Sequence, residues 1–233
     1  MDKENEILTE GLSRKQIILE GITGSKAYGL DTEHSDTDVK GIYVAPTQKV
    51  LSLDWDLKHS TKDHVDPDWV YHEVQKYMQL AMNGNPTVLE MLFLDGYTVL
   101  TKAGKMLVDN RHLFLSNTVR KSYGGYALAQ ARKLNARGGT YGSGRSNRYE
   151  KHTRHCFRLL YQGRELLETG TLTVRVTPEM REELFAIGKM TPSEIIDKFE
   201  KEFAELDKIE SVLPDKPNKE EINKLLLKIR KGN

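Results

Sequence analysis

The chain has 233 residues, 38% hydrophobic and 30% charged, which is room for one large or two small domains and excludes disordered and collagen-like classes. The longest apolar runs, such as 88–94, fall far short of the ~18–20 residues that a bilayer needs, so no membrane span is expected. The formal net charge of +1 is close to neutral, but it averages over an uneven distribution along the chain.

Residues 1–6 are charged and carry no apolar signal region, and the lone Cys156 allows neither an internal disulfide nor a Cys-rich zinc site. A reducing, cytoplasmic setting is therefore expected. Ile17, Ile18, Leu19 and Ile22 read as a buried strand feeding a turn at Gly24 and Ser25. A second strand is expected over 36–44, stopped by Pro46. Its period of two puts Asp36, Asp38, Lys40 and Ile42 on one face and Thr37, Val39, Gly41 and Tyr43 on the other. Residues 55–61 and 69–72 read as a hairpin across a polar connection at 62–67. The spacing of Val74, Tyr77, Met78 and Ala81 predicts a helix over 73–82, ended by Gly84, Asn85 and Pro86.

From about residue 116 the periodicity is helical. Phe157, Leu160 and Leu167 mark a helix over 151–168 that closes at Gly170. Ser193 is the expected cap of 195–209, whose apolar stripe is Ile196, Phe199, Phe203 and Leu206, and a last amphipathic helix covers 220–230. Between 118 and 164 eleven Lys and Arg stand against Glu150 alone, so this segment carries about +10 and the rest about −9. Tyr123, Tyr126, Tyr141, Tyr149, Phe157 and Tyr161 are interleaved with those cations. The mixture suits a polyanion, RNA first, because phosphate neutralisation gives sequence-independent affinity and aromatics stack unpaired bases. Single members are equally readable as core aromatics or solvated helix charges. A Gly-rich stretch at 137–148 is expected to be mobile.

The chemistry concentrates in Gly24-Ser25-Lys26-Ala27-Tyr28-Gly29 and, twelve residues after Gly24, in Asp36-Thr37-Asp38. A strand running through Gly-Ser into a helix presents backbone N–H groups and a hydroxyl to a phosphate. Two carboxylates two apart on a strand repel unless a cation lies between them, which suits a hard divalent ion such as Mg²⁺. A phosphate cradle beside such a pair is what phosphoryl or nucleotidyl transfer needs.

Gly24-Ser25-x-x-Tyr28-Gly29-Leu30, then Ser35-Asp36-x-Asp38-x-x-Gly41-Ile42-Tyr43-Val44 and Pro46, resembles the signature of the DNA polymerase β-like nucleotidyltransferase superfamily. Asn85-Pro86-Thr87-Val88-Leu89-Glu90-Met91-Leu92, Asn110-Arg111-x-x-Phe114-Leu115-Ser116 and Lys151-x-x-x-His155-x-x-Arg158-Leu159-Leu160 are similar, more narrowly, to the bacterial and phage nucleotidyltransferases linked to RNA repair. The likeness runs from about residue 17 to 175. It implies an α+β fold, with a small mixed-sheet nucleotidyltransferase domain over 1–115 and an all-helical C-terminal domain over 116–233. It also implies a third carboxylate on a neighbouring strand, for which Asp68 ranks first, Glu90 second and Glu73 third.

On this reading Asp36 and Asp38, with Asp68, hold two Mg²⁺ ions, for which Mn²⁺ can substitute. Gly24 and Ser25, assisted by Lys26, take the β/γ-phosphates of a nucleoside triphosphate. The third acid completes a metal site or accepts the proton of the acceptor hydroxyl. Lys151, His155 and Arg158 share a helix face and read as contacts to triphosphate or acceptor phosphate, while Tyr123 and Tyr126 are candidates for base stacking or core. The expected reaction transfers a nucleoside monophosphate to an RNA end and releases pyrophosphate. A protein side chain as acceptor and a catalytically silent nucleic-acid-binding module are the alternatives. A metal phosphohydrolase fits less well, because the seven histidines are scattered. Nothing in the chain selects ATP over the other nucleotides.

Overall fold

The computed structural model describes residues 7–9, 12–65, 68–136 and 143–232, with no side-chain description at 7–9, 133–136 and 143–147. Of the Gly-rich stretch 137–148 expected to be mobile, residues 137–142 lie outside the described residues, as do the side chains of Lys133, Arg137, Tyr141 and Arg145, while 143–148 form the first turns of a helix. Contacts divide the chain into two units, one comprising residues to 82, 87–114 and 217 onward, the other 83–86 and 115–216. Residues 217–233, which sequence grouped with the helical region, thus cluster with the first unit.

The first unit starts with a short antiparallel pair, β1 (Ile7–Thr9) and β2 (Leu12–Ser13). There follow β3 (Ile17–Thr23), α1 (Gly24–Tyr28), β4 (Asp38–Tyr43), α2 (Thr47–Val50), β5 (Thr61–Val65), β6 (Asp68–Glu73), α3 (Val74–Met82), α4 (Pro86–Leu89), β7 (Val99–Leu100) and α5 (Lys102–Asp109). The five-stranded mixed sheet has the order β5-β6-β4-β3-β7, with β4 and β6 parallel and the other pairs antiparallel. With the helices of the second unit, this makes the fold α+β.

Alternation along the strands sorts the sheet into two faces. Val39, Tyr43, Trp69 and Tyr71 pack with Leu12, Ile17 and Ala45 as an apolar core. Gly41 sits in the middle of that face because a Cβ there would fall 2.4 Å from the Tyr71 ring. Tyr71 crosses it to donate its hydroxyl to Glu20 of β3, and the Glu20 carboxylate also accepts from Arg14 at 2.8 Å and Thr98 at 2.7 Å. The opposite face carries Thr23, Asp38, Lys40, Asp68 and His72.

Two strand boundaries differ from the sequence expectation. β4 begins at Asp38 rather than at 36, because its partner β3 leaves the sheet at Gly24, whose φ is +65°, and residues 36–37 then have no strand to pair with. The hairpin forms from β5 and β6, so its first strand is 61–65 and not 55–61. Asp56 diverts the earlier stretch by accepting the Lys58 N–H at 2.7 Å, which caps the single turn Leu57–His59. α3 buries Val74, Tyr77, Met78 and Ala81 as expected. Glu73 closes β6 instead of opening the helix and pairs at 2.8 Å with Arg230 of α10 (Lys219–Lys231).

The second unit is built from α6 (Thr118–Ala136), α7 (Ser143–Thr169), α8 (Pro178–Gly188) and α9 (Pro192–Lys208). Phe157, Leu160 and Leu167 of α7 are buried, in line with the expected stripe. α9 starts earlier than expected and its cap is Thr191, not Ser193. Thr191 Oγ1 accepts the Glu194 N–H while Glu194 accepts the Thr191 N–H at 2.8 Å, a capping box with Pro192 at the first turn. Ile195 is buried where Ile196 was expected, and Ile196 is 38% exposed. Among the described residues no helix is long and apolar enough to cross a membrane.

Candidate active site

Gly24 turns out of β3 in the left-handed region, and a Cβ there would fall 1.8 Å from Asp38 Oδ2. The Asp38 carboxylate therefore lies against the backbone of the Gly24–Ser25 turn, a packing that glycine alone permits. Thr23 and Asp38 are register partners, and Thr23 is fully buried. Asp38 opens β4 and Asp68 opens β6, each one position before the parallel pair of Val39 and Trp69, so the two acids start adjacent strands on one face. Asp38 is half-buried and Asp68 exposed. Asp36 is exposed in the irregular stretch before β4, behind a turn in which the Ser35 N–H donates to Thr32 O at 2.9 Å. It does not share a strand face with Asp38 as expected. Among the described residues no three His, Cys, Asp or Glu side chains converge closely enough to hold a metal ion.

α1 has only five residues, so its dipole is slight, and anion binding at the turn would depend on single N–H groups and the Ser25 hydroxyl. Gly29, with φ +69°, ends the helix, and the Leu30 N–H donates to Ser25 O at 2.9 Å. Lys26 donates to Thr37 Oγ1, which ties the turn to the stretch leading into Asp38. Behind this surface Glu90, in the single-turn helix Glu90–Phe93, is 1% exposed. Its Oε2 accepts the Tyr28 hydroxyl at 2.8 Å and its Oε1 the Lys40 ammonium at 3.0 Å. Glu73 points to the other face, where Arg230 and the Gln75 N–H, both at 2.8 Å, engage its carboxylate. The three candidates for a third acid thus have distinct surroundings, and only Asp68 stands beside Asp38 in the sheet. His72, on the Asp68 face, is 2.9 Å from Thr61 Oγ1, and its pKa is pulled down to about 4 by burial, then by the Lys40 and Lys76 charges.

The helical candidates lie in the second unit. Lys151 is exposed and His155 half-buried, whereas Arg158, expected on the same open face, is 1% exposed. Arg158 Nη1 donates to Gln162 at 2.5 Å and Nη2 to His155 Nδ1 at 3.0 Å; a guanidinium can only donate, so this histidine nitrogen accepts. Arg158 does not lie on the open face expected for it, because α7 is wrapped by α6, α8 and α9, which turns residue 158 inward. Other cations of the basic segment are also engaged within this unit. Arg120 donates to the Leu206 and Ile209 carbonyls at the end of α9, Arg164 pairs with Glu202 at 2.8 Å, and Arg154 stacks on Phe185 at 4.4 Å. Lys121, Arg132, Arg148 and Lys151 are exposed. Tyr123 is fully buried core, and Tyr126 is 37% exposed and accepts from Asn85 Nδ2 at 2.9 Å.

Two residues escaped the sequence reading. Tyr28 was noted only as part of a motif and Lys40 only by its face, yet both reach one buried carboxylate. The signal was the shared face of Asp38 and Lys40 together with an acid between apolar neighbours at 90.

A family model described as RlaP, RNA repair pathway DNA polymerase beta family, matches residues 3–228. An uncharacterised 38.9 kDa protein of the nrdC–mobD intergenic region of Enterobacteria phage T4 is 30% identical over 135 residues, 52% of this chain and 39% of that protein. The chain thus spans well under half the length of that relative.

Proposed function

Since the chain belongs to the RNA repair pathway DNA polymerase beta family, we propose that it transfers a nucleoside monophosphate from a triphosphate to a hydroxyl at an RNA end, releasing pyrophosphate. The observation that carries this reading is the apposition of Gly24 and Asp38, which unites the two halves of the motif at one point. The donor set is all hard carboxylate oxygen, and the missing Cβ lets the Asp38 carboxylate lie against the Gly24–Ser25 turn, so the residues present fit a hard divalent ion such as Mg²⁺. Asp38 and Asp68 would hold it, with Asp36 joining from the preceding loop. Bound there, the ion supplies neutralisation of triphosphate charge and a lowered pKa for the acceptor hydroxyl.

The chain's own residues supply the rest. Ser25 Oγ and the backbone N–H groups of the turn bind the terminal phosphates, and Lys26 holds the turn against the Asp36–Asp38 loop through Thr37. Asp68, exposed at the strand start, completes the metal site or accepts the acceptor proton. The exposed Arg148 and Lys151 bind acceptor phosphates without reading sequence.

The test is incubation with Mg²⁺ and each α-labelled triphosphate in turn, with RNA or with protein extract. Label should enter RNA and be lost in Asp38→Ala, with the variant still folded. Label entering protein instead would move the acceptor to a side chain. Label in neither leaves a binding module, and undiminished transfer in both Asp36→Ala and Asp38→Ala would falsify the site.

A further inference from the structure

We propose that the helical unit holds one unpaired nucleobase of the acceptor RNA in an apolar cavity between α6, α7 and α9. The choice of occupant rests on the reading of RNA as acceptor. The cavity measures about 310 Å³, at the small end of the ~300–1,000 Å³ range of ligand sites. Each helix lends it one stripe, with Ala131 and Arg132 from α6, Tyr149 and Cys156 from α7, and Phe199 and Phe203 from α9. The α9 stripe is closed at Leu206, 2% exposed, and opens at Ile196, 38% exposed and itself part of the lining.

The walls suit a flat group with apolar faces. The Phe199 and Phe203 rings stand 5.5 Å apart between centroids. A Cβ on Gly124 of α6 would fall 3.2 Å from the Phe203 ring, so that ring is seated against α6 before any ligand arrives. Cys156 is 1% exposed, and burial pushes its thiol up to about 12, which makes it wall and not nucleophile. The rim is polar and sided. Arg132 on α6 and Glu200 on α9 both line the cavity and are exposed, and the residue before Tyr149 on α7 is the exposed Arg148. Phosphate is drawn to the α6 and α7 side, where the cations are. The Glu200 carboxylate repels phosphate but accepts an amino or imino N–H, which every nucleobase carries on its edge. Stacking on aromatic rings holds a base whatever its identity, whereas an acyl chain would bring Glu200 no donor.

The experiment measures binding of a short single-stranded RNA, and of an abasic ribose-phosphate chain of the same length, to the full chain over a salt series. The proteins are wild type, Phe203→Ala and Ala131→Phe. Ala131→Phe fills the cavity and leaves the aromatic pair in place, so it carries the comparison should Phe203→Ala fail to fold. Wild type should bind RNA about tenfold or more tighter than the abasic chain. Each variant should lose that advantage, with its abasic affinity and its salt slope unchanged, because no phosphate contact is touched. Equal wild-type affinity for the two ligands, or wild-type RNA affinity in Ala131→Phe, would overturn the proposal and leave the RNA reading standing. Weakening of both ligands together in Ala131→Phe would mark a structural effect and overturn it too. If the wild type binds neither ligand, the RNA reading and the proposal both fail. Dodecanoate bound by wild type and excluded by Ala131→Phe, with RNA binding unaffected, would make the cavity an acyl site and overturn the proposal.

Discussion

Gly24 is the residue on which the site is most sensitive. Its positive φ and its contact with Asp38 both exclude a side chain, so Gly24→Ala should cost about 1–3 kcal/mol of stability from the backbone alone. Removing the opposing carboxylate should relieve the steric part. Urea denaturation of Gly24→Ala, Asp38→Ala and the double variant should therefore give a sum that is less than additive. His72 offers a second check. Its folded pKa of about 4 lies below the ordinary 6.5, so the unfolded chain binds more protons between those values. The stability it contributes is complete above pH 6.5 and is lost as pH falls toward 4, about 3 kcal/mol in all. His72→Gln should flatten that limb of the pH profile in chemical denaturation. The Gly24 turn and Asp38 were legible in the sequence because the fifteen residues 24–38 contain them. The Glu90 bonds join partners 50 and 62 residues apart, and no local pattern records such a pairing.

Elements show where local signals compete. Both Thr191 and Ser193 are good caps, and the choice falls on Thr191 because Pro192 then takes the first helical turn and Glu194 completes the reciprocal bond. The start of β4 could not be read from its own alternation, since a strand lasts only as long as its neighbour stays beside it. α10 depends on a buried ion pair. Glu73 has a fully buried side chain, and Arg230→Ala would leave its carboxylate uncompensated, which should destabilise the first unit by about 3–5 kcal/mol. Replacing both partners, as in Glu73→Gln with Arg230→Met, should be milder, as measured by the shift of the urea midpoint. That ranking separates a buried pair from a solvated one.

Across the whole molecule, charge and chain order matter more than any single contact. The basic segment from 118 to 164 was legible as composition, but composition could not tell Arg158, held inside by Gln162 and His155, from Lys151 at the surface. Arg148→Ala with Lys151→Ala should weaken RNA binding and make the salt dependence shallower by about 1.4 in log–log slope, as two lost contacts on a single strand require. An unchanged slope would place the acceptor elsewhere. The return of α10 to the first unit has a consequence for biogenesis. Residues 115–216 are made before α10, so the sheet-bearing unit waits for α10 to be translated. A nonsense codon just before residue 219 would spare the helices translated before it yet leave the sheet-bearing unit without α10 and its Arg230–Glu73 pair, so such truncated by-products of translation should keep their helices and lose stability in the sheet.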